Sequence, residues 1–290
     1  VLRCEEQEVI NNIGNVKKRR FVALWGNGDY GRVQMETCLC FGFRRWESSR
    51  DCVWRSSYLD PVEVSGLPKD IVKISAGYYH SSAITESGEL YMWGKNSSGQ
   101  LGLGRKASKV IPVPCKVDFL NGVPIKMAAL GSDHSIAVTD KGELGWRRIR
   151  KAWSWTQSKP LGIFEFYQIK SVAAGMLHSA CIDESGSVYV FGEKAVQKLA
   201  SRTESTVSTP SMIGELPYSQ EVACGAHHTC VITSGGELYT WGSNENGCLG
   251  TGDTHAVLVP ERVEGPFIRN SVSKVSCGWK HTAAISGPRG

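Results

Sequence analysis

SAGYYHSSAITESGELYMWGKNSSGQLGLG, residues 75–104, decides how the rest of the chain is read. It holds a short strand at 81–85, a turn at Glu86, Ser87 and Gly88, a second strand at 89–93, and a glycine-rich return from Gly94 to Gly104. The same unit returns at 223–252 as ACGAHHTCVITSGGELYTWGSNENGCLGTG. In both copies the step from Gly to His is three residues and from His to the turn Gly eight. From there it is six to the Gly after Trp and five to the next Gly. Four offsets repeated 148 residues apart identify an internal repeat. A repeat settles the architecture before any other argument.

Composition agrees. The 290 residues include 32 Gly, 9 Trp and 9 Tyr, which suits many short strands and tight turns around one large core. No apolar run approaches the roughly 18 residues of a membrane span, so a soluble protein without membrane association is expected. The net charge of +5 leaves nucleic-acid contact open without demanding it. The chain begins at Val1 rather than Met, so any targeting peptide is expected to lie beyond it.

Ten cysteines raise the question of disulfides or metal. Cys224 and Cys277 stand where other units have Ala76, Leu130 and Ala174. Cys181 aligns with Ala83, Ala137, Val231 and Ala284, and Cys230 with Ser82, Ala180 and Ala283. These positions predict small buried hydrophobes. A reducing compartment is expected, with neither a metal site nor a secreted disulfide framework.

Along the chain, residues 1–20 form a polar flank ending in Lys17, Lys18, Arg19 and Arg20, a solvated run or a localisation patch. FVALWGNGDYG (21–31) is the second half of a unit, with Trp25, Gly26 and then Gly31 at the five-residue offset. Its first half stands at the other end, where CGWKHTAAI (277–285) has no Trp-Gly strand after it. The two ends are expected to complete one unit, which leaves no free radial edge. First halves occur at Gly77/His80, Gly131/His134, Gly175/His178, Gly225/His228 and Gly278/His281, with 54, 44, 50 and 53 residues between the histidines. That period fits a four-stranded propeller blade. Segments 60–62, 110–114 and the one around Thr209-Pro210 are expected as outer strands, where Pro is tolerated. The fold class is therefore an all-β propeller. Its units lie near 60–109, 110–160, 161–210, 211–262, and 263–286 closing with 21–31, followed by a tail at 287–290.

The recurring G-x-x-H-[S/T] … G-E-L-Y-x-W-G-x-N-x-x-G-x-L-G resembles the repeat of the regulator of chromosome condensation family, over about residues 21–286. That resemblance implies a seven-bladed β-propeller closed by its two termini. Within the family, the 60–130 stretch and VAAGMLHSACIDESGSVYVFGEKA (172–195) look most like a plant mitochondrial member linked to splicing of organellar transcripts.

Two stretches depart from the template, leaving degraded units at 32–59 and 144–168. Trp25 to Trp93 spans 68 residues, too long for one unit and too short for two, and 38–57 carries no repeat feature. After Gly142-Glu143-Leu144 the chain reads GWRRIRKAWSWTQ (145–157) in place of a Trp-Gly strand. Frame slips in glycine-rich codons and ordinary divergence both account for such Trp- and Arg-rich text. Such segments are expected to pack poorly.

The repeat histidines His80, His134, His178, His228 and His281 sit one per unit, so they are expected around a ring rather than converging on a metal. Each precedes Ser81, Ser135, Ser179, Thr229 or Thr282, which predicts a side-chain hydrogen bond within the unit. Gly88, Gly142, Gly186 and Gly236 are expected to supply positive φ in the hairpin turn. Trp25, Trp93 and Trp241, with Phe191 in the same place, are expected between neighbouring blades, each Trp followed by Gly26, Gly94 or Gly242. None of these residues, nor Gly77, Gly131, Gly175, Gly225 and Gly278, is a catalytic, metal or cofactor signal, and no cofactor is expected.

Four functions remain. A non-enzymatic monomeric scaffold would bind protein partners on a propeller face; the resemblance points to organellar splicing factors and the mitochondrion, with nucleus or cytoplasm as the alternative. Guanine nucleotide exchange on a small Ran-type GTPase is the second. Ultraviolet-B sensing, the third, needs a cluster of G-W-R-H-T motifs, and only Gly278-Trp279-Lys280-His281-Thr282 comes close. An ordinary enzyme has no supporting site.

Overall fold

The computed structural model describes residues 20–24, 30–34, 37–42, 58–104, 106–147, 168–193, 206–268 and 270–288. They form six antiparallel sheets. The first contains β1 (Arg20–Leu24), β2 (Tyr30–Gln34), β3 (Thr37–Gly42) and β4 (Tyr58–Glu63). The second contains β5 (Ile71–Ala76), β6 (His80–Thr85), β7 (Leu90–Lys95) and β8 (Val110–Lys116). Three strands make the third: β9 (Ile125–Leu130), β10 (Ser135–Thr139) and β11 (Leu144–Arg147). The fourth holds β12 (Ile169–Ala174), β13 (His178–Asp183), β14 (Val188–Glu193) and β15 (Thr206–Ile213). In the fifth are β16 (Ser219–Cys224), β17 (His228–Thr233), β18 (Leu238–Gly242) and β19 (Val257–Arg262). The last pairs β20 (Asn270–Cys277) with β21 (Thr282–Pro288).

Within each sheet the strands follow chain order, as short hairpins dictate. The first strands β1, β5, β9, β12, β16 and β20 lie side by side in succession. The last strands face outward instead: Val113, Met212, Leu258 and Val259 are each more than half exposed. The sheets therefore radiate from an axis lined by their first strands, the arrangement of a propeller. Both faces of a middle sheet are covered by neighbours. Three second strands, β6, β13 and β17, accordingly lose the usual alternation: HSSAIT, HSACID and HTCVIT are buried at every position. Small residues dominate because two sheets approach from opposite sides.

The core is a set of seams between sheets. Ile84, Leu90 and Met92 of the second sheet meet Ile125 and Leu130 of the third. Ile136 and Leu144 meet Ile169, Tyr189 and Phe191. Ile182, Val188 and Val190 meet Val222, Val231 and Trp241. Cys230, Ile232 and Leu238 meet Val272 and Val275. Phe191 and Trp241 thus fill the space between blades.

Three findings refine the sequence picture. The proline-bearing segments at 60–62, 110–114 and 209–210 fall in β4, β8 and β15, the outermost strands, where a missing N–H costs no ladder bond. The departing stretches still pair: β3 hydrogen-bonds β2 with Val33 opposite Cys38, and β11 hydrogen-bonds β10 with Ile136 opposite Trp146. Pairing needs only an extended backbone in register, so losing the glycine punctuation does not remove the strand. Residues 43–57 and 148–167, the remainder of those stretches, lie outside the described residues. Finally, β1 pairs with β2, Phe21 opposite Val33, and β20–β21 is a two-stranded sheet. The expected pairing of the two chain ends does not occur among the described strands, because β2 follows β1 closely enough to fold back on it as a hairpin. Trp25 and Gly26 lie outside the described residues.

Candidate interaction face

Every G-x-x-H step is the loop between the first and second strands of a sheet, so the sheets bring these loops together near the axis. The backbones touch there. A Cβ added to Gly77 would lie 2.6 Å from the carbonyl oxygen of Gly131, one on Gly131 2.5 Å from that of Gly175, and one on Gly175 would collide with that of Gly225. Only glycine permits this approach. The loops are also tied by backbone bonds: the Tyr78 N–H donates to Gly131 at 3.1 Å and the Ala226 N–H to Trp279 at 3.2 Å.

The histidines make a second set of ties. Nε2 of His80 lies 2.9 Å from Ser135 Oγ, that of His134 2.8 Å from Ser179 Oγ, that of His178 3.0 Å from Thr229 Oγ1, and that of His228 2.9 Å from Thr282 Oγ1. The hydroxyl always belongs to the next sheet. The expected bond exists, but it runs between units and not within one. His281, on the last sheet, is exposed.

A His–Ser contact of this length invites a catalytic interpretation, and the proton direction argues against it. Ser135 Oγ donates to the Gln100 carbonyl at 2.8 Å, and Thr282 Oγ1 to that of Cys248 at 2.8 Å. With its proton so committed, the hydroxyl accepts from His Nε2–H. A general base needs the opposite arrangement. Burial, and then the neighbouring His134 ring, push the His80 imidazole down to about 3, so it stays neutral.

On the opposite side of the sheets the turn glycines do comparable work. Gly88, Gly142, Gly186 and Gly236 have φ between 70° and 82°, as expected. Their carbonyls also accept from the next sheet's first strand: Ile125, Ile169, Ser219 and Val272 donate at 2.8–3.1 Å. That second duty was not legible in the sequence, because both partners are backbone atoms.

With Gly and His occupied structurally, the two residues between them are what varies from loop to loop. They are Tyr78-Tyr79, Ser132-Asp133, Met176-Leu177, Ala226-His227 and Trp279-Lys280. Tyr79 is 44% exposed. Lys95 lies over its ring, 5.2 Å from the centroid, and also pairs with Asp133 at 2.9 Å. Burial would raise the Asp133 carboxyl, but the Lys95 hydrogen bond and charge, with Ser132 Oγ at 3.1 Å, hold it below its usual range. Tyr78 packs edge-on against Trp279 with centroids 5.3 Å apart. Burial, and then the adjacent Tyr79, push its hydroxyl up to about 12. The result is an aromatic surface with one buttressed ion pair, suited to docking a macromolecule. One cluster escaped the sequence reading: His228, Cys230 and Cys277 place potential ligand atoms within 4.8 Å of one another. Their separation along the chain hid it.

Comparison with known proteins agrees with this architecture. Residues 87–138, 185–232 and 235–285 match the Regulator of chromosome condensation (RCC1) repeat, and 71–100 and 220–248 match a second model of that repeat. These segments span more than half of the chain, which belongs to that repeat family. The Ultraviolet-B receptor UVR8 of Arabidopsis thaliana is 35% identical over 245 residues, covering 78% of this chain and 53% of the relative. The chain thus spans about half the length of that relative. Among solved structures, human WBSCR16 superposes with a TM-score of 0.73 at 24% identity, covering 90% of this chain and 70% of the other. Prp20p of Saccharomyces cerevisiae, whose structure is described with its binding to Gsp1p and histones, gives 0.73 at 18% identity, covering 90% and 67%. Both likenesses concern the fold.

Proposed function

We propose that the chain is a non-catalytic propeller that docks a protein partner on the face built by the G-x-x-H loops. The observation that carries this is Tyr79, exposed on a rigid loop and flanked by Lys95 and Asp133. A photo-crosslinking residue at position 79 is expected to capture a discrete protein partner, and one at Leu258 on the outer rim is not. Crosslinks confined to the rim position would refute the proposal.

A finer version makes the partner an organellar splicing factor and places the protein in mitochondria. Its support is the wording of 60–130 and 172–195. Import of the full-length protein into isolated mitochondria, and loss of spliced organellar transcripts in its absence, are the expected results; strictly nuclear protein counts against it. Prp20p binding to Gsp1p makes a small GTPase the alternative partner. Accelerated nucleotide release from a purified Ran-type GTPase would replace docking with exchange. The UVR8 likeness leaves sensing as the least supported version, since Trp279 is the one tryptophan in the five G-x-x-H loops.

A further inference from the structure

At the seam between the fifth and last sheets two thiols meet. Cys277 closes β20, Cys230 lies in β17, and the Cys277 Sγ–H points at Cys230 Sγ over 3.4 Å. Equivalent positions at the other seams pair Ser82 with Leu130, Ile136 with Ala174, and Ala180 with Cys224. Among the described seams, both of these equivalent positions are cysteine only here. The surroundings suit sulfur chemistry that leaves the rest intact. His228 is engaged by Thr282, whose hydroxyl also contacts Cys230 Sγ at 3.6 Å and Cys277 Sγ at 3.9 Å.

We propose that Cys230 and Cys277 form a reversible disulfide with a low-molecular-weight disulfide as oxidant, fastening the last sheet to the fifth. Cys277 reacts first, because it is only partly covered as a residue while Cys230 is fully enclosed. Its thiol loses a proton, and the thiolate attacks one sulfur of oxidised glutathione, expelling one glutathione thiolate. Cys230, deprotonated in turn, attacks the Cys277 sulfur and expels the second. The two protons pass to the two departing glutathiones. Two protein thiols are oxidised and one glutathione disulfide is reduced. Exchange runs through the thiolate, so mild alkali speeds it.

The full 290-residue chain, incubated with oxidised glutathione in mild alkali, is expected to give one cross-linked peptide joining Cys230 to Cys277, reversed by dithiothreitol. The bridge closes a loop of 47 positions, so the oxidised chain should melt about 4–8 °C above the reduced one. Cys230→Ala and Cys277→Ala should abolish both effects. Both should fold, because Ala180 and Ala174 already occupy those positions in another unit. Glutathione adducts in place of the bridge, or a bridge through Cys224, would overturn the proposal. So would zinc retained stoichiometrically by the reduced chain and lost in both variants.

Discussion

Trp241 is wholly enclosed in the seam between the fourth and fifth sheets, while Trp93, its counterpart in the second, is only partly covered. Trp241→Ala is therefore expected to cost about 3–5 kcal/mol in urea unfolding, and Trp93→Ala clearly less. His80 makes stability depend on pH. His80 titrates at about 3 in the folded chain against 6.5 when unfolded. Its contribution is complete above about pH 6.5 and declines as pH falls toward 3, since only the unfolded chain takes up the proton. Between about pH 7 and pH 5 this one group should remove about 2 kcal/mol, a loss that His80→Asn abolishes. That the histidines are structural was legible in the sequence, because one per unit cannot converge. Their partners were not, since each hydroxyl lies 45–55 residues further along.

At the scale of elements, the loop glycines and turn glycines fix how one sheet meets the next. Gly131→Ala should destabilise by about 1–3 kcal/mol, because the new methyl meets the Gly175 backbone and the His134 ring. Gly214→Ala, with nothing within 4 Å, serves as the neutral comparison in the same melting experiment. Hairpins and outer strands were readable from fixed offsets and from proline. Strands β3 and β11 were not, because the Trp- and Arg-rich text around them carries no glycine punctuation, and extended backbone pairs regardless of it. The face around Tyr79 was equally hidden: its residues come from loops whose variable positions look like noise until the sheets set them side by side.

At the scale of the molecule, sheets joined at seams allow the docking surface to be altered without touching the core. Asp133→Lys should leave the melting temperature within a few degrees, since the ion pair it removes is partly exposed. Partner capture through position 79 should nevertheless fall at least tenfold, because two like charges would then stand beside that position. The histidine ties have a further consequence. The imidazoles of His80, His134, His178 and His228 each reach forward to a hydroxyl not yet made when their own sheet emerges from the ribosome. A nascent chain halted before Ser135 would carry His80 with its donor unanswered, and from the third sheet onward each new sheet completes the tie of the one before it. Maturation of this protein accordingly has a direction, and that direction is the direction of translation.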